Sequence, residues 1–240
     1  MAIYAISDIH VKIDGQNSEV LKKFISNDFK NDDIIYFLGD IFDLLIGPHS
    51  QYYSLFDWFF LRLEELISKG IEIHYFEGNH DFHLEKLLGK LGINVHKSPV
   101  VKEYYGKKFL FCHGDEIEIG NPSYKAYKSF VTSRPLNIIA NYVMPYSVLN
   151  LIGENASKKS RKRNKNRYGN PQENLRIRDS FREASAIAVE KFNAEVVICG
   201  HSHFKDDFEW GNHRYLNCGY LPVTKNYIEI DESKISFISL

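Results

Sequence analysis

Cysteine is scarce in this chain, and methionine and tryptophan are scarcer: three Cys and two each of the others in 240 residues. Cys112, Cys199 and Cys218 are odd in number, far apart and never in a C-x-x-C pair, so they read as small buried apolar residues of a reduced protein. Net charge is lacking too. At −1 the chain carries no global field that selects nucleic acid or a membrane. No uninterrupted apolar run reaches the roughly 18–20 residues that a spanning helix needs. No basic and apolar leader precedes Asp8, which sets the expectation of a soluble, cytoplasmic protein. The near-neutral balance hides one asymmetry: residues 158–167 hold seven basic side chains and no acid, which leaves about −8 on the rest.

Short apolar runs are plentiful, and each ends in chemistry. Residues 34–38 are β-branched, aromatic or aliphatic throughout, which reads as a strand buried on both faces, and Gly39-Asp40 follows at its carboxyl end. Open α/β sheets bind ligands at that edge. The pattern recurs at residues 3–6 before Asp8-Ile9-His10, at 71–76 before Gly78-Asn79-His80-Asp81, at 108–112 before His113-Gly114-Asp115, and at 196–199 before Gly200-His201-Ser202-His203. Carboxylates, an amide and imidazoles at this density suit hard or borderline divalent metals. On an extended segment the side chains of Asp8 and His10 share a side and can reach one ion, and His201 and His203 can each reach one of two. Asp40 has two oxygens with which to bridge; Asn79 offers a carbonyl oxygen and His113 a ring nitrogen. The working reading is a two-metal hydrolase.

A chain of this length fits one domain with insertions. Apolar spacing predicts helices over 19–27 and 52–69, the latter ending at Gly70, and a short one over 84–90. The order β-α-β-α-β implies a sheet with crossover helices. From 120 to 174 the pattern turns wholly helical, with Tyr124, Tyr127 and Phe130 in one stripe and Leu136, Ile138, Ile139 and Tyr142 in the next. We expect residues 120–174 to be a helical cap over the rim, and 1–119 with 175–240 to be the core. A helix over 181–192 leads to the strand at 196. Segments 215–217, 225–230 and 234–239 read as antiparallel strands closing a second sheet. His49, His83, His96 and His213 read as surface residues and His74 as core.

In this order the motifs resemble the calcineurin-like metallophosphoesterases, whose pattern D-x-H, G-D, G-N-H-[DE], H, G-H-x-H stands here as Asp8-Ile9-His10, Gly39-Asp40, Gly78-Asn79-His80-Asp81, His113 and Gly200-His201-Ser202-His203. The resemblance covers all but the cap. It implies a four-layer α/β sandwich, two facing mixed sheets flanked by helices. It implies one metal held by Asp8, His10, Asp40 and His203, and a second held by Asp40, Asn79, His113 and His201. His80 is then free to donate a proton to the leaving oxygen or to hold a phosphate oxygen, with Asp81 orienting its ring. Asp43 and Asp115 are expected to hydrogen-bond loop backbone or ligand histidines.

The cap looks like the lid of the UDP-2,3-diacylglucosamine pyrophosphatases of lipid A biosynthesis, which clamps acyl chains while polar residues reach sugar and phosphates. Ser160, Asn164 and Arg167 keep the spacing of that family's Ser-Asn-Lys set, on one helix face, with Arg for Lys; Asn121 stands where the family has a lid acid, and His80 where it often has Arg. The substrate-binding set implied is Asn79, His80, Asn121, Ser160, Asn164, Arg167 and His201. The resemblance implies manganese, although zinc or iron suits the same donors, and a nucleotide-sugar lipid as partner. The apolar excess of residues 135–152 and the basic run fit contact with an anionic membrane, on the cytoplasmic face of the inner membrane. The alternative is another nucleotide, nucleic-acid or phospholipid phosphodiester. No aromatic stacking platform is interleaved with the basic run, which counts against nucleic acid. From another class, a non-catalytic scaffold on the same fold need not keep a complete donor set, and this chain keeps all seven.

Overall fold

The computed structural model describes residues 1–139, 142, 145–148, 151 and 171–240. In chain order the strands are β1 (Ile3–Ile6), β2 (Ile34–Phe37), β3 (Leu45–Ile46), β4 (Glu72–Phe76), β5 (Asp81–Phe82), β6 (Asn94–His96), β7 (Val100–Tyr104), β8 (Lys107–Phe111), β9 (Val196–Cys199), β10 (Asp206–Trp210), β11 (His213–Asn217), β12 (Asn226–Ile230) and β13 (Ile235–Ser239). Helices α1 (Ser18–Ile25), α2 (Gln51–Leu55), α3 (Asp57–Ser68) and α4 (Glu85–Leu88) fall in the first half. Helices α5 (Pro122–Val131), α6 (Arg134–Ile138) and the 22-residue α7 (Pro171–Phe192) lie between β8 and β9.

Two mixed sheets form, ordered β13-β12-β1-β2-β4-β6 and β10-β11-β9-β8-β7. In the first, β1, β2, β4 and β6 are parallel, as the crossovers through α1 and α3 require. Every residue of β2 is buried. Tyr36 points inward and stacks on Phe111 of the second sheet, ring centroids 3.9 Å apart. Phe37 points outward to Phe24 of α1 and Phe59 of α3. Burying such a ring is worth about 1.5–3 kcal/mol. The outer face of the second sheet is covered by Ile177, Phe181, Ala188 and Val189 of α7, packed on Leu110, Val197 and Cys199. The layers are thus helix, sheet, sheet, helix.

Four expectations need correction. The tail does not close a second sheet by itself: β12 and β13 pair antiparallel beside β1 and extend the first sheet, and only β10 and β11 join the second, β11 running parallel to β9. The helix expected over 52–69 is broken at Phe56, whose φ −127 and ψ 38 lie outside the helical region while its ring packs on Phe42. Helix α7 starts at Pro171, well before 181, so the boundary drawn at 175 falls inside one continuous rod. His83 is buried, not at the surface, and meets the Asn137 side-chain amide of α6 at 2.6 Å. All three cysteines are free and buried. Among the described residues no helix is long and apolar enough to cross a membrane.

Candidate metal centre

All the motif loops leave the carboxyl ends of parallel strands, and they converge. Asp8 and His10 do not reach one point by pleat alternation, as an extended segment would allow. Strand β1 has ended at Ile6, and both residues lie in the left-handed region at φ 52. Asp40 (φ 53), His201 (φ 66) and His203 (φ 58) do the same. Side chains other than glycine rarely adopt this backbone, and clusters of it mark sites where the surroundings over-determine the chain. Cross-loop amides supply that constraint: Asp8 N donates to Gly39 O, Ile9 N and His10 N to Asp40 O, and Gly200 N to His113 O. Glycine is required where loops touch carboxylates, since a Cβ at Gly78 would stand 2.3 Å from Asp40 Oδ1 and one at Gly200 2.3 Å from Asp8 Oδ2.

The donors fall into two groups joined by Asp40. In the first, His10 Nε2 lies 3.2 Å from His203 Nε2 and 3.7 Å from Asp40 Oδ2, and His203 Nε2 lies 3.3 Å from Asp8 Oδ1. Ligand atoms of Asp8, His10, Asp40 and His203 all sit within 4.8 Å of one another. In the second, Asn79 Oδ1 is 3.3 Å from His113 Nε2 and 3.1 Å from His201 Nδ1, the two ring nitrogens are 3.2 Å apart, and His113 Nε2 is 3.7 Å from Asp40 Oδ2. Asp40 Oδ2 thus stands 3.7 Å from one imidazole nitrogen of each group. Ring nitrogens facing each other at such distances, with carboxylate and amide oxygens beside them, form a donor set that fits divalent cations. His113 donates from Nδ1 to Leu38 O at 2.8 Å, which leaves the Nε2 lone pair for a ligand.

Electrostatics differ between the groups. Burial, together with the like charge of His80 and His203, holds His10 well below its ordinary value. Burial also opposes the charged form of His113, but Asp40, Asp115 and Asp8 outweigh it and push the ring up to about 9.

His80 keeps to the rim: Nδ1 donates to Asp43 O at 3.0 Å, and its ring stands edge-on to His10. Asp81 does not orient it. The Asp81 carboxylate is fully buried and accepts from the amides of Asp40 (2.9 Å), Ile41 (2.7 Å), Gly78 (3.0 Å) and, more weakly, Phe42 (3.3 Å), and from Tyr75 Oη (2.6 Å). It shapes the Asp40 loop, because a carboxylate that follows the turn directly is the nearest acceptor for those stranded amides. Asp43 instead lies near His10 Nδ1 (3.8 Å) and His80 Nδ1 (3.7 Å). Asn121 lines a cavity of about 280 Å³ between the loop after β8 and α7, with Glu118, Arg176 and Phe181. Ser160, Asn164, Arg167 and the basic run fall outside the described residues.

Sequence reading missed four residues. Glu118 Oε2 lies 3.5 Å from His201 Nε2. Lys128 of α5 pairs with the buried Asp115 and tethers that helix to the His113 loop. Asn17 and Tyr220 back the first donor group. None sits in a motif; only the basic side chain of Lys128 in an otherwise apolar stripe offered a signal.

Fold and site together define a metal-dependent phosphoester hydrolase. A family model described as calcineurin-like phosphoesterase matches residues 1–205, and the chain belongs to that family. Over 98% of its length it is 24% identical to a UDP-2,3-diacylglucosamine hydrolase of Histophilus somni, covering 98% of that protein. It is 28% identical to one of Actinobacillus succinogenes, over 98% of this chain and 97% of that one. Among solved structures it is similar to one titled as a novel archaeal phosphodiesterase, at 15% identity and TM-score 0.48, with both chains fully covered.

Proposed function

We propose that the protein hydrolyses the diphosphate of UDP-2,3-diacylglucosamine, releasing UMP and 2,3-diacylglucosamine 1-phosphate in lipid A biosynthesis, with two manganese ions as cofactor. One ion would be held by Asp8, His10, Asp40 and His203, the other by Asp40, Asn79, His113 and His201. Two divalent ions bound at these donors supply Lewis acidity that activates water and neutralises phosphoryl charge. The chain's own residues do the rest. Asp40 fixes the two donor groups relative to each other. His80 donates its Nδ1 proton to Asp43 O, so it can bind a phosphoryl oxygen through Nε2–H only as the imidazolium, the form proposed here. Cleavage at the uridine-side phosphorus expels a phosphate monoester, which leaves with little protonation, so His80 serves chiefly by binding a phosphoryl oxygen.

The observation that carries the lipid reading is the apolar exposure beside the rim. Phe130 is 67% exposed, Tyr142 72% and Leu151 64%, and Ile138 and Val148 are open as well. This stretch is tied to the segment just beyond the Asn79 turn, through Asn137 to His83 and through Lys86 to Tyr142. Apolar side chains of that size, exposed together, suit acyl chains or a lipid surface. The resemblance of the full chain to relatives named for this substrate supports the same reading. By extension the protein would work on the cytoplasmic face of the inner membrane, with Asn121, Ser160, Asn164 and Arg167 reaching the sugar and phosphates.

The test is incubation of purified protein with UDP-2,3-diacylglucosamine and Mn²⁺. UMP release is expected. Absence of UMP, with hydrolysis of bis-p-nitrophenyl phosphate intact, removes the lipid substrate and leaves another phosphodiester in its place.

A further inference from the structure

Asn17 and Tyr220 are distant in sequence and meet behind the first donor group. Asn17 precedes α1 at φ 68. Its side-chain nitrogen shares two protons among three oxygens: Ile9 O at 2.8 Å, His10 O at 3.2 Å and Tyr220 Oη at 3.1 Å. The Tyr220 ring lies stacked on His203, centroids 5.4 Å apart and 21° between planes, and tilted against His10 at 6.1 Å. The backbone continues the link, with Tyr220 N donating to His203 O and Leu221 N to Asp8 O, each at 3.2 Å.

Beyond the cross-loop amides and the bond from His201 N to the Asp8 carboxylate, three of the four first-group donors, Asp8, His10 and His203, thus share contacts with one short segment, Tyr220–Leu221, and one side-chain amide. The second group is held differently: His113 by Leu38 O, and Asn79 through its amide on Asp40 Oδ1 at 2.9 Å. We propose that Asn17 and Tyr220 are positioning residues, a clip that sets the cation affinity of the first group independently of the second. The gap the clip maintains is the 3.2 Å between His10 Nε2 and His203 Nε2. Both residues sit in left-handed turns, and without the clip those turns relax and the imidazoles part. Residues that orient ligands in this way typically tune affinity 10–100-fold. The inference rests on the two ligand sets proposed above.

The experiment is calorimetric titration of Mn²⁺ into metal-free protein, comparing wild type with N17G, Y220F and the double variant. Glycine tolerates the positive φ at position 17, and phenylalanine keeps the ring on His203. Wild type is expected to show two binding events. N17G should weaken one of them by about 10–100-fold and leave the other unchanged; Y220F should act on the same event to a smaller degree. The double variant should bind like N17G, because the hydroxyl's partner is already gone. In an H113A background the surviving event should still respond to N17G, and in an H10A background it should not. Equal weakening of both events, no change in either, or full additivity of the two substitutions overturns the clip. A wild type that takes up a single Mn²⁺ removes the ligand sets and the clip with them. Should N17G fail to fold, Y220F alone decides, by whether its shift is confined to one event.

Discussion

The metal rim and the helices that follow it are built on opposite plans. At the rim, Asp8, Asp40, His113 and Asp81 are buried and each is fixed by contacts from distant parts of the chain. Along α5 and α6, Phe130 and Ile138 point into solvent, and Lys128 is the polar anchor that ties this stretch to the His113 loop. The difference teaches where each property resides. The chemistry depends on a geometry held by many buried contacts at once. On the reading proposed above, the choice of substrate falls to a surface that makes few demands on the fold.

The sharpest way to break this contrast is at Asp40. D40A removes the donor common to both groups and should reduce phosphodiesterase activity to that of chelator-treated protein, with metal content read by mass spectrometry falling alongside. Retention of both ions and of turnover would mean that the rim is not organised around this carboxylate.

Lys128 tests the junction of the two plans. Asp115 is buried; burial opposes its charge, but His113 and Lys128 hold its carboxyl below the ordinary range. K128M removes one of the cations beside that buried carboxylate, leaving His113, and should destabilise by about 1–3 kcal/mol in urea unfolding, with D115N/K128M recovering much of the loss. The sign with pH follows from the depressed value. The unfolded carboxyl takes up its proton near its ordinary value, about 3.9, and the folded one only at lower pH. The pair's contribution is therefore full at neutral pH and lost as pH falls through the folded value, so wild type and K128M should converge in strong acid.

His80 separates chemistry from binding. H80Q should lower kcat about 10²–10³-fold with little change in KM, the cost of one donor to a transition-state oxygen. An equal loss confined to KM would make His80 a ground-state contact. The smallest effects belong to the exposed surface. F130S and Y142S should leave urea stability within about 0.5 kcal/mol and turnover of bis-p-nitrophenyl phosphate unchanged, while raising KM for the diacylated substrate. A matching fall on the soluble ester would place these side chains in the chemistry after all.

Much of the rim was legible because the same local signal recurs: an apolar run such as residues 34–38, then a donor within three positions, with a glycine before it at Asp40, Asn79 and His201. The alternation that predicted Asp8 and His10 on one face was the wrong geometry for the right pairing, since left-handed turns past the end of β1 bring them together. Asp81 looked like a partner for His80 because the two are adjacent. Sequence does not show that four amides and a tyrosine hydroxyl compete for the same carboxylate. The placement of β12 beside β1 was equally invisible: alternation announces a strand but not its neighbour. Tyr220 and Asn17 carry no motif, and what they do depends on partners as far as 203 positions away.

Five donors sit in backbone conformations that cost an ordinary side chain roughly 1–2 kcal/mol apiece, a total on the order of a whole domain's net stability. The apolar sandwich beneath must be sturdier than a protein of this size would otherwise need. A descendant that let those positions drift to glycine would melt later and hydrolyse nothing, so selection for turnover alone keeps the rim contorted.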